Sequence, residues 1–424
     1  MGKVVKLEPQ GRDGTAGQGR RSPKRSKTAL VLGGGGFTGG VYEIGALRAL
    51  DLLTVNRTVN DFDVFVGTSA GAFVAAMTAN GVTPEEMMRV VDHQRPTPFP
   101  DVDLNNLLRP NIAGLAKSVV TMPLRAAQLV RGLAIHMGQV SAMDIILSLA
   151  EGLPSGAYSG SGVEKYLRTV LTSDPARSDD FRSLEPELYI TATDLDTCER
   201  IVFGVPGWDD VPISTAVRAS TALPMVYSPV KVRDRELVDG GIVSTTNLDI
   251  AVNAGAKFIV VVNPLVPYVN NFKSKIRTLT GVRTRHVSDM GFPQIGYQAF
   301  KMVAYQRLHE MARQWEQRYP GVDIILIEPE PDDELMFQTS IMNFTSRVEI
   351  ARHGFQSVTT QLAFGYPRFR EICKRHGIQI SATRVRKVMK HFEAEQGRTR
   401  AWRKILEQTT GALLRQSADQ ADRG

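Results

Sequence analysis

The segment Gly67-Thr68-Ser69-Ala70-Gly71 constrains this chain more than any other, because it stands between an apolar run at 62–66 and a small-residue stretch at 70–80. A buried strand that passes straight into a helix must turn within one or two residues, and the turn needs small neighbours on either side. Gly67 and Gly71 supply them. Such a turn holds the Ser69 hydroxyl at the end of a sheet, beside the positive N-terminal end of the next helix. Ser69 is therefore a candidate nucleophile on an α/β sheet.

Similar signals recur along the chain. Residues 28–32 form a short apolar run that ends in Gly33-Gly34-Gly35-Gly36, which reads as a buried strand entering a loop. Residues 41–53 show helical spacing, with Ile44, Leu47 and Leu50 on one face. Further strands are expected at 187–193, 201–203, 231–238, 257–262 and 323–327, with helices at 248–254, 298–318 and 346–363. This alternation predicts a mainly parallel sheet with helices on both faces. No internal repeat interrupts it.

Charge and composition mark the ends off from the middle. Residues 1–28 hold eight Lys/Arg against two Asp/Glu, and residues 380–424 hold ten against five, within a chain of net charge +7. The middle is therefore slightly acidic. Residues 1–28 have no apolar period and read as a basic disordered tail, with no secretory signal. Residues 29–365 form the expected folded domain and 366–424 a basic helical extension. In that extension Ser381 caps a helix whose Val385, Val388, Met389 and Phe392 make an apolar stripe, a surface for the parent domain or for an oligomer. Residues 103–152 read as a helical insertion, either a cap beside the site or helices covering the sheet. The two cysteines, Cys198 and Cys373, make neither a disulfide framework nor a metal site. A cytoplasmic protein is expected, peripheral at a membrane where its basic ends meet anionic headgroups. Nucleic-acid binding would rest on those tails alone and is not expected.

Two further features carry chemistry. The glycines after the first strand can turn N–H groups toward an anion. Gly34, Gly36 and Gly39 formally match a dinucleotide-binding turn, but the Ser69 elbow in the next unit favours an oxyanion hole made by Gly34, Gly35 and Gly36. Asp239-Gly240-Gly241 follows an apolar strand, where α/β sheets collect their sites. Taken alone, Asp-Gly is an ordinary turn pair.

Together, the glycine loop after the first strand, the elbow after the second and the later Asp-Gly-Gly resemble the patatin-like phospholipase family. The segments at 192–195, 219–224 and 247–256 resemble it too, and the likeness spans about residues 28–365. It implies a patatin-like three-layer α/β/α fold and hydrolysis of lipid acyl esters by a dyad of Ser69 and Asp239. No cofactor and no metal are implied. The family usually places Arg or Lys beside the glycine loop, where this chain has Phe37 and Thr38. Two other readings accompany this one. The first is an esterase or thioesterase with a histidine triad, for which His286, His309 and His353 follow Asp239 in order. The second is a non-catalytic lipid-binding protein on the same fold.

Overall fold

The computed structural model describes residues 4–5, 26–92, 99–100, 108–135, 154–270, 272, 276–277, 283–284, 286–333, 335–336 and 346–390. The expected tail at 6–25, most of the insertion outside 108–135 and the extension beyond 390 lie outside the described residues.

The strands are β1 (Val4–Val5), β2 (Thr28–Leu32), β3 (Val64–Thr68), β4 (Gly156–Tyr158), β5 (Glu187–Asp194), β6 (Arg200–Phe203) and β7 (Met225–Tyr227). They continue with β8 (Val230–Val232), β9 (Arg235–Asp239), β10 (Phe258–Val262), β11 (Ile276–Arg277), β12 (Arg283–Thr284) and β13 (Asp323–Ile327). The helices are α1 (Gly36–Leu53), α2 (Ala70–Ala79), α3 (Pro84–Asp92), α4 (Ile112–Ile135), α5 (Ser161–Thr172), α6 (Ile213–Ser220), α7 (Leu248–Asn253), α8 (Phe292–Arg318), α9 (Arg347–Phe364) and α10 (Tyr366–Arg375).

The central sheet runs β1-β13-β10-β2-β3-β5-β9-β8, with β6 also paired to β5. From β13 to β5 every neighbour is parallel, and β1, β6, β8 and β9 attach antiparallel. The parallel strands are apolar on both faces, as a sheet covered by helices on each side requires. Leu30, Leu32, Phe65, Val260 and Ile325 face the core shared with α1, α2 and α9. Their neighbours Ala29, Val31, Val66, Val261 and Ile324 face the other layer, with Leu248 of α7 and Leu308 and Trp315 of α8. The result is the three-layer α/β/α arrangement.

Several expectations need correction. The stretch 231–238 is not one strand but the β8–β9 hairpin, which turns where Arg233 takes φ 59°. The first helix starts at Gly36 rather than at 41, because Gly39 already donates its N–H to Gly35 O at 3.0 Å. Val4–Val5, inside the tail expected to be disordered, pairs with the edge strand β13. Of the expected C-terminal stripe, Val385 is buried in the same core as α1 and Met389 packs against it, while Phe392 lies outside the described residues.

α4 falls inside the expected helical insertion and carries Pro123. Its described side chains are unusual for a helix, since Ile112, Val119 and Val120 are 72%, 70% and 77% exposed. Among the described residues no helix is long and apolar enough to cross a membrane.

Candidate active site

β3 ends at Thr68 and α2 begins at Ala70, so Ser69 makes the whole turn between them. It does so at φ 55°, ψ −125°, a conformation that costs a non-glycine residue about 1–3 kcal/mol. Neighbouring elements hold it there. Its main-chain N–H donates to Ser220 Oγ at 2.8 Å, and its hydroxyl donates to Asp239 Oδ2 at 2.5 Å. The flanking positions tolerate no side chain. A Cβ on Gly67 would lie 2.5 Å from Ala72 Cα, and one on Gly71 would lie 2.5 Å from Gly33 O.

Asp239 arrives from the opposite direction. β9 is antiparallel to β5, so the rule that gathers sites at the C-terminal ends of parallel strands does not explain its position. β3 pairs with β5 up to Thr191 and β9 from Ala192, so β9 meets the end of β3 head-on. Asp239 stops opposite Ala192, one residue past Thr191, which is the partner of Thr68. That register sets the carboxyl level with Ser69. Asp239 N–H donates to Ala222 O at 3.0 Å, and Thr193 Oγ1 donates to Asp239 O at 3.1 Å. Gly241 N–H donates to Asp239 Oδ1 at 2.8 Å. Gly240 lies so close to Thr191 that a Cβ would sit 2.4 Å from the Thr191 carbonyl oxygen. Burial pushes the Asp239 carboxyl up to about 6, while the Ser69 hydroxyl and the Gly241 N–H pull it back down.

The glycine loop departs from expectation at Gly34. Its N–H donates to Thr245 O at 3.2 Å and is no free oxyanion donor, although Gly34 packs directly on the Ser69 side chain. Gly35 and Gly36 precede the first helical hydrogen bond of α1. Their N–H groups belong to its unbonded first turn and have no partner among the described residues. Both line the cavity that Ser69 and Asp239 face. Gly39 keeps this turn in place by packing against Gly35 and Pro264.

A buried polar scaffold supports the elbow. Asn247 Nδ2 donates to Thr68 Oγ1 at 2.9 Å and to Thr191 Oγ1 at 3.1 Å, tying β3 and β5 together just below Ser69. Arg200 Nη1 donates to Asn247 Oδ1 at 2.9 Å and orients the amide. Sequence reasoning gave no role to Ser220, Thr191 or Asn247. Ser220 and Asn247 stand in segments that resemble the family, and that resemblance was the available signal.

The cavity is apolar, with a volume of about 190 Å³. Val41 and Ile44 of α1, Phe73 and Met77 of α2 and Met87 of α3 form much of its wall. Tyr297 of α8 also reaches it, from more than 200 residues beyond the elbow. The histidines of the triad reading lie elsewhere. His309 pairs with Glu328, His353 with Asp333, and His286 caps a short 3-10 helix. Among the described residues no histidine bonds to Ser69 or Asp239, and no group of three or more His, Cys, Asp or Glu is placed to hold a metal ion.

A family model described as patatin-like phospholipase matches residues 30–252, which is more than half of the chain. The probable lipid hydrolase 463L of Invertebrate iridescent virus 6 is 23% identical over 235 residues, 54% of this chain. The uncharacterised protein YqhO of Bacillus subtilis is 26% identical over 224 residues, 49% of this chain. Each match spans 64% of the relative's own length. Among solved structures, VipD from Legionella pneumophila aligns over 80% of this chain and 67% of its own, at 13% identity and a TM-score of 0.39. The type III effector ExoU of Pseudomonas aeruginosa aligns over 80% and 53%, at 16% identity and a TM-score of 0.34.

Proposed function

This chain belongs to the patatin-like phospholipase family, and we propose that it hydrolyses the acyl esters of lipids through Ser69 and Asp239. The observation that carries the reading is the Ser69 hydroxyl donating to a buried carboxylate, both of which line an apolar cavity. Asp239 Oδ2 accepts the hydroxyl proton as Ser69 Oγ attacks the acyl carbonyl. The negative charge that develops on the carbonyl oxygen is met by the N–H groups of Gly35 and Gly36, which have no partner among the described residues. Loss of one such donor typically raises the barrier by about 2.7–4 kcal/mol. The alkoxide of the departing alcohol takes a proton from Asp239. Water then attacks the acyl-enzyme with Asp239 again as base, and the Ser69 oxygen leaves with that proton.

The cavity supports a lipid rather than a polar ester. A wall of valine, isoleucine, phenylalanine and methionine removes an acyl chain from water at roughly 0.8 kcal/mol per buried CH₂. The exposed apolar side chains of α4 fit transient contact with a lipid surface, and the basic ends would add attraction to anionic headgroups.

The test compares the purified protein with Ser69→Ala and Asp239→Asn on p-nitrophenyl acyl esters and a mixed phospholipid panel. Loss of turnover in both variants, with folding retained, is expected. Turnover that survives Asp239→Asn would remove the dyad.

A further inference from the structure

The two helices that frame the site start side by side. Gly71 N–H donates to Gly33 O at 3.2 Å, and a Cβ on Gly40 of α1 would lie 3.3 Å from the Ala70 Cβ of α2. Both helices leave the ends of adjacent parallel strands, β2 and β3, and pack into the same core. On α1 the cavity wall includes Phe37, Val41 and Ile44, and on α2 it includes Ala70, Phe73 and Met77. Steps of three, four and seven residues keep each set on one stripe of its helix. The cavity therefore follows both helices away from Ser69 and the glycine loop.

This groove closes as it deepens. Phe37 and Phe73, near the helix starts, are half-buried, whereas Ile44 and Met77 are buried. α3 starts five residues after α2 ends, on the side away from Ser69. Its Glu85 pairs with Arg48 at 2.5 Å, one turn of α1 beyond Ile44. Met87 follows, and with Val90 and Val91 it gives the cavity a buried apolar wall. Arg347, whose Nε donates to Val91 O at 2.9 Å, borders that wall with a charged group, which an apolar chain end avoids.

Two measures of the groove agree. Ala70 to Met77 is seven residues, about 10 Å of helix at about 1.5 Å per residue. Staggered C–C bonds of about 1.5 Å advance an extended acyl chain by about 1.25 Å each, so about eight carbons reach from Ser69 to Met77. By volume, an engineered cavity of about 150 Å³ holds one benzene, so about 190 Å³ here holds about eight carbons. The acyl chain, not the alcohol, belongs in a closed groove, because the alcohol must leave before water attacks the acyl-enzyme. We propose that the α1–α2 groove is the acyl pocket, that it selects a medium chain of about eight carbons, and that Met77 and Met87 set this length. The inference rests on the ester-hydrolase reading above and adds the acyl-chain class to it. A longer chain must push against two packed side chains, and a shorter one leaves an unfilled apolar void.

The experiment measures kcat/KM of the full chain on p-nitrophenyl butanoate, hexanoate, octanoate, decanoate and dodecanoate, each kept below its aggregation concentration. Wild type, M77A and M87A are compared after circular dichroism confirms folding, with M77V or M87V replacing a variant that fails to fold. Wild type is expected to prefer octanoate by about tenfold over both butanoate and dodecanoate. Removing either methionine side chain deepens the groove, so the dodecanoate-to-octanoate ratio should rise about tenfold. A wild-type kcat/KM that climbs steadily to dodecanoate would overturn the closed pocket. A maximum that stays at octanoate in the folded variants of both positions would overturn the assignment of the two methionines. Wild type inert on every ester would overturn the Ser69–Asp239 reading and this one with it, whereas turnover without a chain-length maximum would overturn this one alone.

Discussion

Ser220 Oγ accepts the main-chain N–H of Ser69 at 2.8 Å, joining residues 151 apart in sequence. α6 thereby pins a turn whose φ of 55° is unfavourable for serine. Ser220→Ala strands a buried N–H, which costs about 1–3 kcal/mol. Thermal unfolding is expected to register that loss, and kcat should fall with it as the hydroxyl loses its aim. An unaltered melting temperature would show that the bond does not support the elbow.

Asp239 links activity and stability to pH with opposite signs. Its folded value of about 6 stands above the ordinary 3.8, so the folded state holds the proton more tightly than the unfolded chain. The associated stability is fully present below pH about 4 and is lost as pH rises through about 6. A gap of two units corresponds to roughly 3 kcal/mol. Under the proposed mechanism ester hydrolysis uses the ionised carboxylate and should climb across the same window. Asp239→Asn is expected to be inactive, more stable than wild type at pH 7, and flatter in its stability profile over pH 4–7. A wild-type rate that stays level down to pH 4 would contradict a buried carboxylate base.

Two glycine substitutions should behave in opposite ways. A Cβ at Gly71 would press on Gly33 O and Leu32 C at 2.5 Å, both backbone atoms that cannot move aside. Gly71→Ala should therefore disrupt the elbow and abolish hydrolysis. Gly296, inside α8, has nothing within 4 Å of the added atom. Gly296→Ala should raise stability by about 1 kcal/mol through helix propensity. Urea denaturation of both variants gives the comparison.

α4 offers a surface to test for lipid contact. Replacing Ile112, Val119 and Val120 by Ser removes its three most exposed apolar side chains. Sedimentation with vesicles should weaken, and turnover of vesicle lipid should fall relative to turnover of a monomeric ester. Binding driven by these side chains is expected to persist in high salt, whereas binding through the basic ends should fade with salt.

The sequence by itself determined the features that arise between neighbours in the chain. Strands such as 258–262, apolar on both faces, demand a sheet covered on both sides. Gly67 and Gly71 flank the one residue that must turn between strand and helix. These are local steric and solvation requirements, so contiguous residues state them. The tertiary structure decided what depends on partners far apart. Asp239 meets Ser69 because an antiparallel β9 stops opposite Ala192, a register that its own five residues do not specify. Gly34 looks like its neighbours in sequence, but its N–H is taken by Thr245, more than 200 residues away. Tyr297 reads as one more aromatic on a long helix until α8 packs it onto the cavity wall. Whether a hydrogen bond or a charge finds a partner is settled by the packing of distant elements, and local spacing carries no record of that.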